Sequence, residues 1–266
     1  MIEFEERDWI RIQNSWSAWW EGETGRPMVV IEVQRPRRPQ EEAHEFAANY
    51  PIDMPADEVI DIYENHLGGY RWYGDAWPRW WPNFGPGVLA GFLGARVSAV
   101  EETVWFEPDG PTGLRDIDLK IDWDNPWCKR VEELTECAVR RWGNRICVGF
   151  ADIGGNLDVL ASLRGTENLI MDLLDEPRTV NRLSKRLTKL WLEYYRRLYR
   201  IIEPTGRGTT PWAHIWSPGA CYMLQSDIFY MLSPEYARPE SCASSTSALR
   251  GLGRSYPSWG ARALPW

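Results

Sequence analysis

Apolar residues at Trp9, Ile12, Trp16 and Trp19 recur at helical spacing and predict an N-terminal amphipathic helix over residues 4–20. Gly22 and Gly25 end it. Arg26-Pro27 then leads into MVVIEV (28–33), a β-branched run that reads as a buried strand closed by Pro36 and Pro39. A second helix is expected over 54–67, with Asp53 as N-cap, Pro55 in the first turn, and Val59, Ile60, Tyr63 and Leu67 on its apolar face. After Gly68-Gly69, YRWYGDAWP predicts a second strand ending at Asp75.

Residues 78–96 hold a PNFGPG loop and a small-residue helix, and 99–121 read as two strands, VEETVWFEP and GLRDIDLKI, with Asp109-Gly110 between them. Asn125 and Pro126 have the chemistry of an N-cap and first helical position for a helix reaching Trp142. RICVGFADIGG (145–155) predicts a third core strand and a glycine turn. Helices over 157–174 and from Pro177 to Ile202 follow, then a fourth strand, GTTPWAHIW (208–216). Single buried strands alternating with helices imply a parallel sheet with crossover helices.

Residues 241–266 break this grammar. They contain no Asp, Glu, Lys, Val or Ile, whereas all 38 acidic residues lie before them. Even spreading would put about four acids there. The expectation is an aberrant tail, produced by a frameshift or chimeric read, with an ordinary disordered tail as the alternative.

Charge and composition narrow the function classes. The net charge is −8 and the basic residues are spread out, apart from Arg35, Arg37 and Arg38, which argues against nucleic-acid binding. That cluster is expected to be a solvated loop. No run of about 18 apolar residues exists, so no membrane span is expected. The acidic start, MIEFEERDW, lacks the features of a signal peptide, and a cytoplasmic location is expected. Cys128, Cys137, Cys147, Cys221 and Cys242 form no CxxC pair and are expected to be free thiols, and no zinc set can be assembled from them and the three histidines. The 17 tryptophans are expected mainly to pack cores and loops, with a flat, aromatic-walled pocket as the alternative.

Three stretches carry a family resemblance: GGNLDVLASLRGTENLIMDLLDEPRTVNRL (154–183), GDAWPRWWPNFGPGVLAGFLGA (74–95) and MLQSDIFYMLSPEYARPE (223–240). Together they resemble the uroporphyrinogen decarboxylase superfamily, over about residues 5–240. The resemblance implies an α/β fold, a (β/α)8 TIM barrel whose active site lies at the C-terminal ends of the strands. With four candidate core strands and about 250 barrel residues typical of the class, residues 1–240 are expected to be the N-terminal part of an incomplete barrel. Poor solubility or self-association is expected with it.

By the resemblance, Asp75 matches the aspartate with which the decarboxylases hold pyrrole N–H groups, and it is the expected catalytic residue. A strand-end aspartate can also serve as a helix cap. Asp152, His214, Gln225 and Asp227 flank or follow the third and fourth strands and are expected to contact substrate, and Asn83 and Phe84 are expected to line the mouth. Glu32 stands where the decarboxylases carry the first arginine of an MRQAGRY element, and should repel a polycarboxylate. The methyltransferase branch holds zinc through an HxC element and a distant Cys, which this chain does not contain. The expected function is therefore a methyltransferase-type or decarboxylase-type (lyase) enzyme of unknown substrate. A small molecule and a corrinoid protein are the implied partners, and zinc or a corrinoid the cofactor of the longer parent. The chain alone is expected to be inactive. A non-catalytic frameshifted product and a carbohydrate-active barrel are the alternatives.

Overall fold

A computed structural model describes residues 2–36 and 43–233. Arg37, Arg38, Cys242 and the expected tail over 241–266 lie outside the described residues. In chain order the elements are α1 (Glu6–Glu21), β1 (Val30–Gln34), α2 (Ala56–Leu67), β2 (Tyr70–Gly74), β3 (Arg79–Trp80), α3 (Leu89–Phe92), β4 (Arg96–Ala99), β5 (Val104–Glu107), α4 (Pro126–Trp142), β6 (Cys147–Val148), α5 (Asn156–Arg164), α6 (Thr166–Asp175) and α7 (Pro177–Ile202). The chain is mixed α/β. Among the described residues its strands form three two-stranded sheets and no closed barrel. No helix among them is long and apolar enough to cross a membrane.

The chain divides into two compact units. Among the described residues, unit one comprises 2–36, 43–83, Arg130–Ala151 and Leu198–Met223. Its core begins with α1, whose buried residues are Trp9, Ile12 and Trp16, the expected face. They pack with Trp77, Cys147 and Trp216, and Trp16 meets Trp77 edge-to-face at 5.3 Å. Burying a ring of this size contributes on the order of 3 kcal/mol. The indoles also donate to main-chain carbonyls: Trp16 Nε1 to Asp75 O at 3.0 Å and Trp216 Nε1 to Arg207 O at 2.7 Å. A second packing zone joins Tyr63, Trp80 and Trp142, with ring centroids 5.4 and 5.3 Å apart. Outside it, Asp57, Asp61 and Glu64 of α2 meet Arg140, Arg141 and Arg145 on or just beyond α4 in a ladder of ion pairs. Most of these pairs lie at the surface and contribute little each.

The run at 28–33 is not a buried parallel strand. β1 pairs antiparallel with β2, in the register Glu32↔Trp72 and Ile31↔Tyr73. Val29, Ile31, Val33 and Tyr73 are exposed by 45, 46, 45 and 53%. An unbroken β-branched run does not reveal which face is covered, and here only Val30 and Met28 reach the tryptophan core. Parallel pairing does occur between β3 and β6, which α4 connects in part, in the register Arg79↔Cys147. Gly149 N–H donates to Trp80 O at 2.7 Å and Phe150 N–H to Thr210 O at 3.0 Å, so three chain segments run side by side here. A Cβ on Gly149 would lie 2.6 Å from Thr210 O, and only glycine permits that approach. The fourth expected strand is reduced to an antiparallel bridge between Thr209 and Ser217.

Among the described residues, unit two comprises Phe84–Lys129, Asp152–Arg197 and 224–233. Its hairpin is β4–β5, closed by Val100 N–H to Thr103 O at 2.9 Å, and not the pair expected around Asp109-Gly110. Pro108 and Pro111 flank that dipeptide and remove the donors a hairpin ladder needs. Asn125 caps α4 as expected, its Oδ1 accepting from Trp127 N–H at 2.9 Å and Cys128 N–H at 3.3 Å. Gly165 divides the expected 157–174 helix into α5 and α6. Within unit two, α7 packs through Trp191 and Tyr195, stacked at 5.4 Å, and through Tyr194 against Phe92 at 4.9 Å. Its outer face gathers Arg178, Arg182, Lys185, Arg186 and Lys189, all exposed. These cations look dispersed in sequence and align only when wound at 3.6 residues per turn.

Candidate functional site

Within unit one, β1 and β2 form an inward face of alternating positions. Glu32 lies on it directly opposite Trp72, and Tyr70 stacks on Trp72 at 6.4 Å. These residues border a cavity of about 530 Å³ that is also lined by Tyr63, Arg79, Trp80, Trp81, Asn83 and Trp212. Aromatic rings thus form much of its wall. His44 and His66 stand at the same cavity, and His66 is held by Tyr70 OH at 3.3 Å from its Nε2.

Arg79 is the principal cation of this site. Its side chain is 10% exposed. Nη1 donates to the carbonyls of Pro211, Trp212 and Ala213, the shortest contact being 3.2 Å to Trp212. The other edge of the guanidinium faces side chains: Nη2 lies 3.1 Å from His214 Nδ1 and 2.8 Å from Nε2, and Nε lies 3.8 Å from Glu32 Oε1. Burial pushes the Arg79 pKa down, opposed by the Glu32 carboxylate. The guanidinium still remains charged near neutrality.

His214 joins the two charges. Its Nε2 is 3.3 Å from Glu32 Oε2. A guanidinium only donates and a carboxylate only accepts. A neutral ring with Nε2–H can donate to Glu32 and accept from Arg79 at Nδ1, although the closer approach of Arg79 Nη2 is to Nε2, where two donors would then meet. A protonated ring could not accept from Arg79. The Trp212 indole N–H is buried and has no acceptor.

The sequence-derived residues fall into three places. Glu32, Asn83 and His214 come together at or beside this cavity. Asp75, whose side chain is 1% exposed, does not line it. Its carboxylate accepts from Arg26 Nη1 and Nη2 at 2.6 and 2.7 Å and from Val29 N–H at 2.9 Å. The Arg26 hydrogen bonds, more than burial opposes, hold its pKa below the ordinary 3.8.

Asp152, Gln225 and Asp227 belong to unit two. Asp152 Oδ1 accepts from Gly154 N–H at 2.9 Å and Oδ2 from Gln225 Nε2 at 3.3 Å. Gly154 has φ +78, and a Cβ there would lie 2.6 Å from Gly87 Cα, so the expected glycine turn is obligatory. Asp158 Oδ1 accepts from Ile228 N–H at 2.9 Å, while its Oδ2 is buried without a partner. Burial, with Asp227 adding to it, raises the Asp158 pKa. Phe84 is 1% exposed and packs edge-to-face on Trp127 at 6.2 Å.

Sequence reading missed Arg79, Trp212 and Asp158. Arg79 follows Asp75 by four positions in WPRWW, but nothing in that string separates it from the other basic residues. Among the described residues, no group of three or more His, Cys, Asp or Glu is arranged to hold a metal ion. Cys147 and Cys221 are pushed up to about 12 by burial, so neither offers a thiolate near neutral pH.

No protein-family model, curated protein or solved structure matches the chain.

Proposed function

We infer that this chain folds as part of a uroporphyrinogen-decarboxylase-like (β/α)8 barrel enzyme, an incomplete barrel by itself, of decarboxylase or methyl-transfer type, with its small-molecule site at the Glu32–Arg79–His214 cavity. The observation that carries this reading is the meeting of Glu32 and His214 at 3.3 Å across 182 residues of sequence, beside a buried arginine and an aromatic wall. Such a convergence of polar groups in a concave, largely aromatic site is the usual form of a small-molecule pocket. The parallel β3–β6 pair, with main-chain contacts continuing to Thr210, supports barrel-type strand packing.

In this reading Arg79 orients the substrate, and His214 moves a proton between Glu32 and the bound molecule. Asp75 is assigned to positioning. With both carboxylate oxygens engaged, it anchors Val29 at the start of the strand that carries Glu32. Glu32 makes the cavity unsuited to polycarboxylates. The donor set does not fit zinc, and no step is routed through a metal. A corrinoid protein is the partner that the methyl-transfer branch would bring.

The test is a panel of small monocarboxylates and N-methylated amines, with carbon dioxide release and methyl transfer followed by NMR and binding followed by saturation transfer. Binding or turnover lost in His214→Asn and Glu32→Gln supports the reading. Binding that is indifferent to both substitutions removes these residues from the site. Decarboxylation of uroporphyrinogen would overturn the exclusion of polycarboxylates.

A further inference from the structure

Resting on that reading, we propose that the cavity takes a weakly hydrated organic cation, a quaternary ammonium group on a molecule with no acid of its own. Its charge would be met by Glu32 and Glu45, and its methyl groups by the tryptophan rings of the wall.

The charges at the cavity select the sign. Among the described residues its walls carry two carboxylates, Glu32 and Glu45, against the one guanidinium of Arg79. Imidazole is uncharged in mildly alkaline solution, so His44 and His66 at the same cavity leave that excess of negative charge unchanged there. The Arg79 charge already has protein partners on every side: Nη1 faces the carbonyls of 211–213, Nη2 faces His214, and Nε faces Glu32. Glu45 is exposed and meets no cation among the described residues. Glu32 is held loosely, at 3.3 Å from His214 and 3.8 Å from Arg79, both longer than a strong charge-assisted hydrogen bond. An anion would meet two carboxylates and a guanidinium whose donors are engaged. A cation would meet the uncompensated charge.

The chemistry of the wall selects the kind of cation. Among the described residues no group of three or more His, Cys, Asp or Glu is arranged around a metal ion, so a hard inorganic cation finds no coordination set here. Trp72, Trp80 and Trp81 line the cavity, Trp81 with part of its ring accessible. Indole faces attract cations through the ring quadrupole. Elsewhere the chain uses this attraction itself, with Arg197 over Trp123 and Arg207 over Trp9, both at 4.9 Å, whereas no such contact involves the three cavity tryptophans among the described residues. A primary ammonium brings three N–H donors that ring faces leave unsatisfied. A quaternary ammonium brings none, and its methyl groups suit an apolar wall.

Calorimetry on the full chain at mildly alkaline pH separates the possibilities, with choline, its neutral isostere 3,3-dimethylbutan-1-ol and the anion 3,3-dimethylbutanoate as probes. Choline is expected to bind at least about tenfold more tightly than either of the others. Glu32→Gln and Glu45→Gln should each weaken choline several-fold and leave the alcohol unchanged. Glu45 is exposed, so its variant keeps the wild-type circular dichroism spectrum even if Glu32→Gln disturbs the fold. Binding of the alcohol or the anion as tight as that of choline, and lost in Glu32→Gln, overturns the cation and leaves the small-molecule cavity standing. Choline binding indifferent to both substitutions places the ligand elsewhere and overturns the proposal. Failure of choline to bind also overturns it, while the cavity reading then stands or falls by its own panel of monocarboxylates and amines.

Discussion

Asp75 and Arg26 form a two-point ion pair, Nη1 to Oδ2 at 2.6 Å and Nη2 to Oδ1 at 2.7 Å, in which the aspartate is 1% exposed and the arginine 55%. The pair closes the junction between the end of β2 and the start of β1, because the same carboxylate accepts from Val29 N–H. Replacing Arg26 by Leu leaves a buried carboxylate with one main-chain donor and only the weaker field of Arg11. A loss of about 1–3 kcal/mol is expected, read as a lower denaturant midpoint in urea.

Asp75 and Asp158 should give opposite pH signatures. The folded pKa of Asp75 is lowered, chiefly by the Arg26 hydrogen bonds, so its contribution is present above 3.8 and is lost as pH falls through the folded value. The folded pKa of Asp158 is raised, chiefly by burial, so stability falls as pH rises from 3.8 through the folded value. Thermal melts across acidic pH should show Asp75→Asn converging on the wild type as pH drops. Asp158→Asn should instead gain relative stability as pH rises. Parallel curves for the two variants would contradict both assignments.

Gly149 holds the β6 segment against Thr210 and Trp81. An alanine Cβ would sit 2.6 Å from Thr210 O, 2.8 Å from its Cγ2 and 3.1 Å from Trp81 Cβ. Gly149→Ala is expected to cost about 1–3 kcal/mol. It should also disturb the cavity, since Trp81 lines it. Chemical denaturation reads the first effect and near-ultraviolet circular dichroism the second.

The buried thiols should be inert in the native protein. Cys147 and Cys221 are pushed up to about 12 and Cys137 to about 11, in each case mainly by burial. Iodoacetamide at mildly alkaline pH, followed by peptide mass spectrometry, should leave all three unmodified until denaturant is added. Fast native labelling of Cys147 would show that the tryptophan cluster around it opens readily.

The outer face of β1–β2 presents Val29, Ile31, Val33 and Tyr73 to solvent. Contiguous apolar residues beside unpaired strand edges favour association. Concentration-dependent self-association in analytical ultracentrifugation is expected, and Ile31→Lys should reduce it. A monodisperse monomer at high concentration would argue against this surface being adhesive.

Much of the helical structure was legible in the sequence. Trp9, Ile12 and Trp16 recur at helical spacing and are the buried face of α1, and Asn125-Pro126 has the chemistry of the cap that starts α4. These signals are local, since side-chain period and capping depend on residues within one turn. Gly154 was legible for a similar reason, as only glycine adopts its backbone without strain. Which strands pair was not legible. MVVIEV has the same composition whether buried on both faces or on one, and its antiparallel partner lies about 40 residues downstream. The candidate site divides in the same way. Glu32 and His214 could be named from the sequence, but their contact, the choice of Arg79 among thirty basic residues, and the orphaned Trp212 N–H depend on chain segments far apart in sequence. Local sequence determined where helices start, stop and turn their apolar faces, because those choices involve near neighbours. Only the tertiary structure decided which charges face each other, because that depends on long-range closure and on burial.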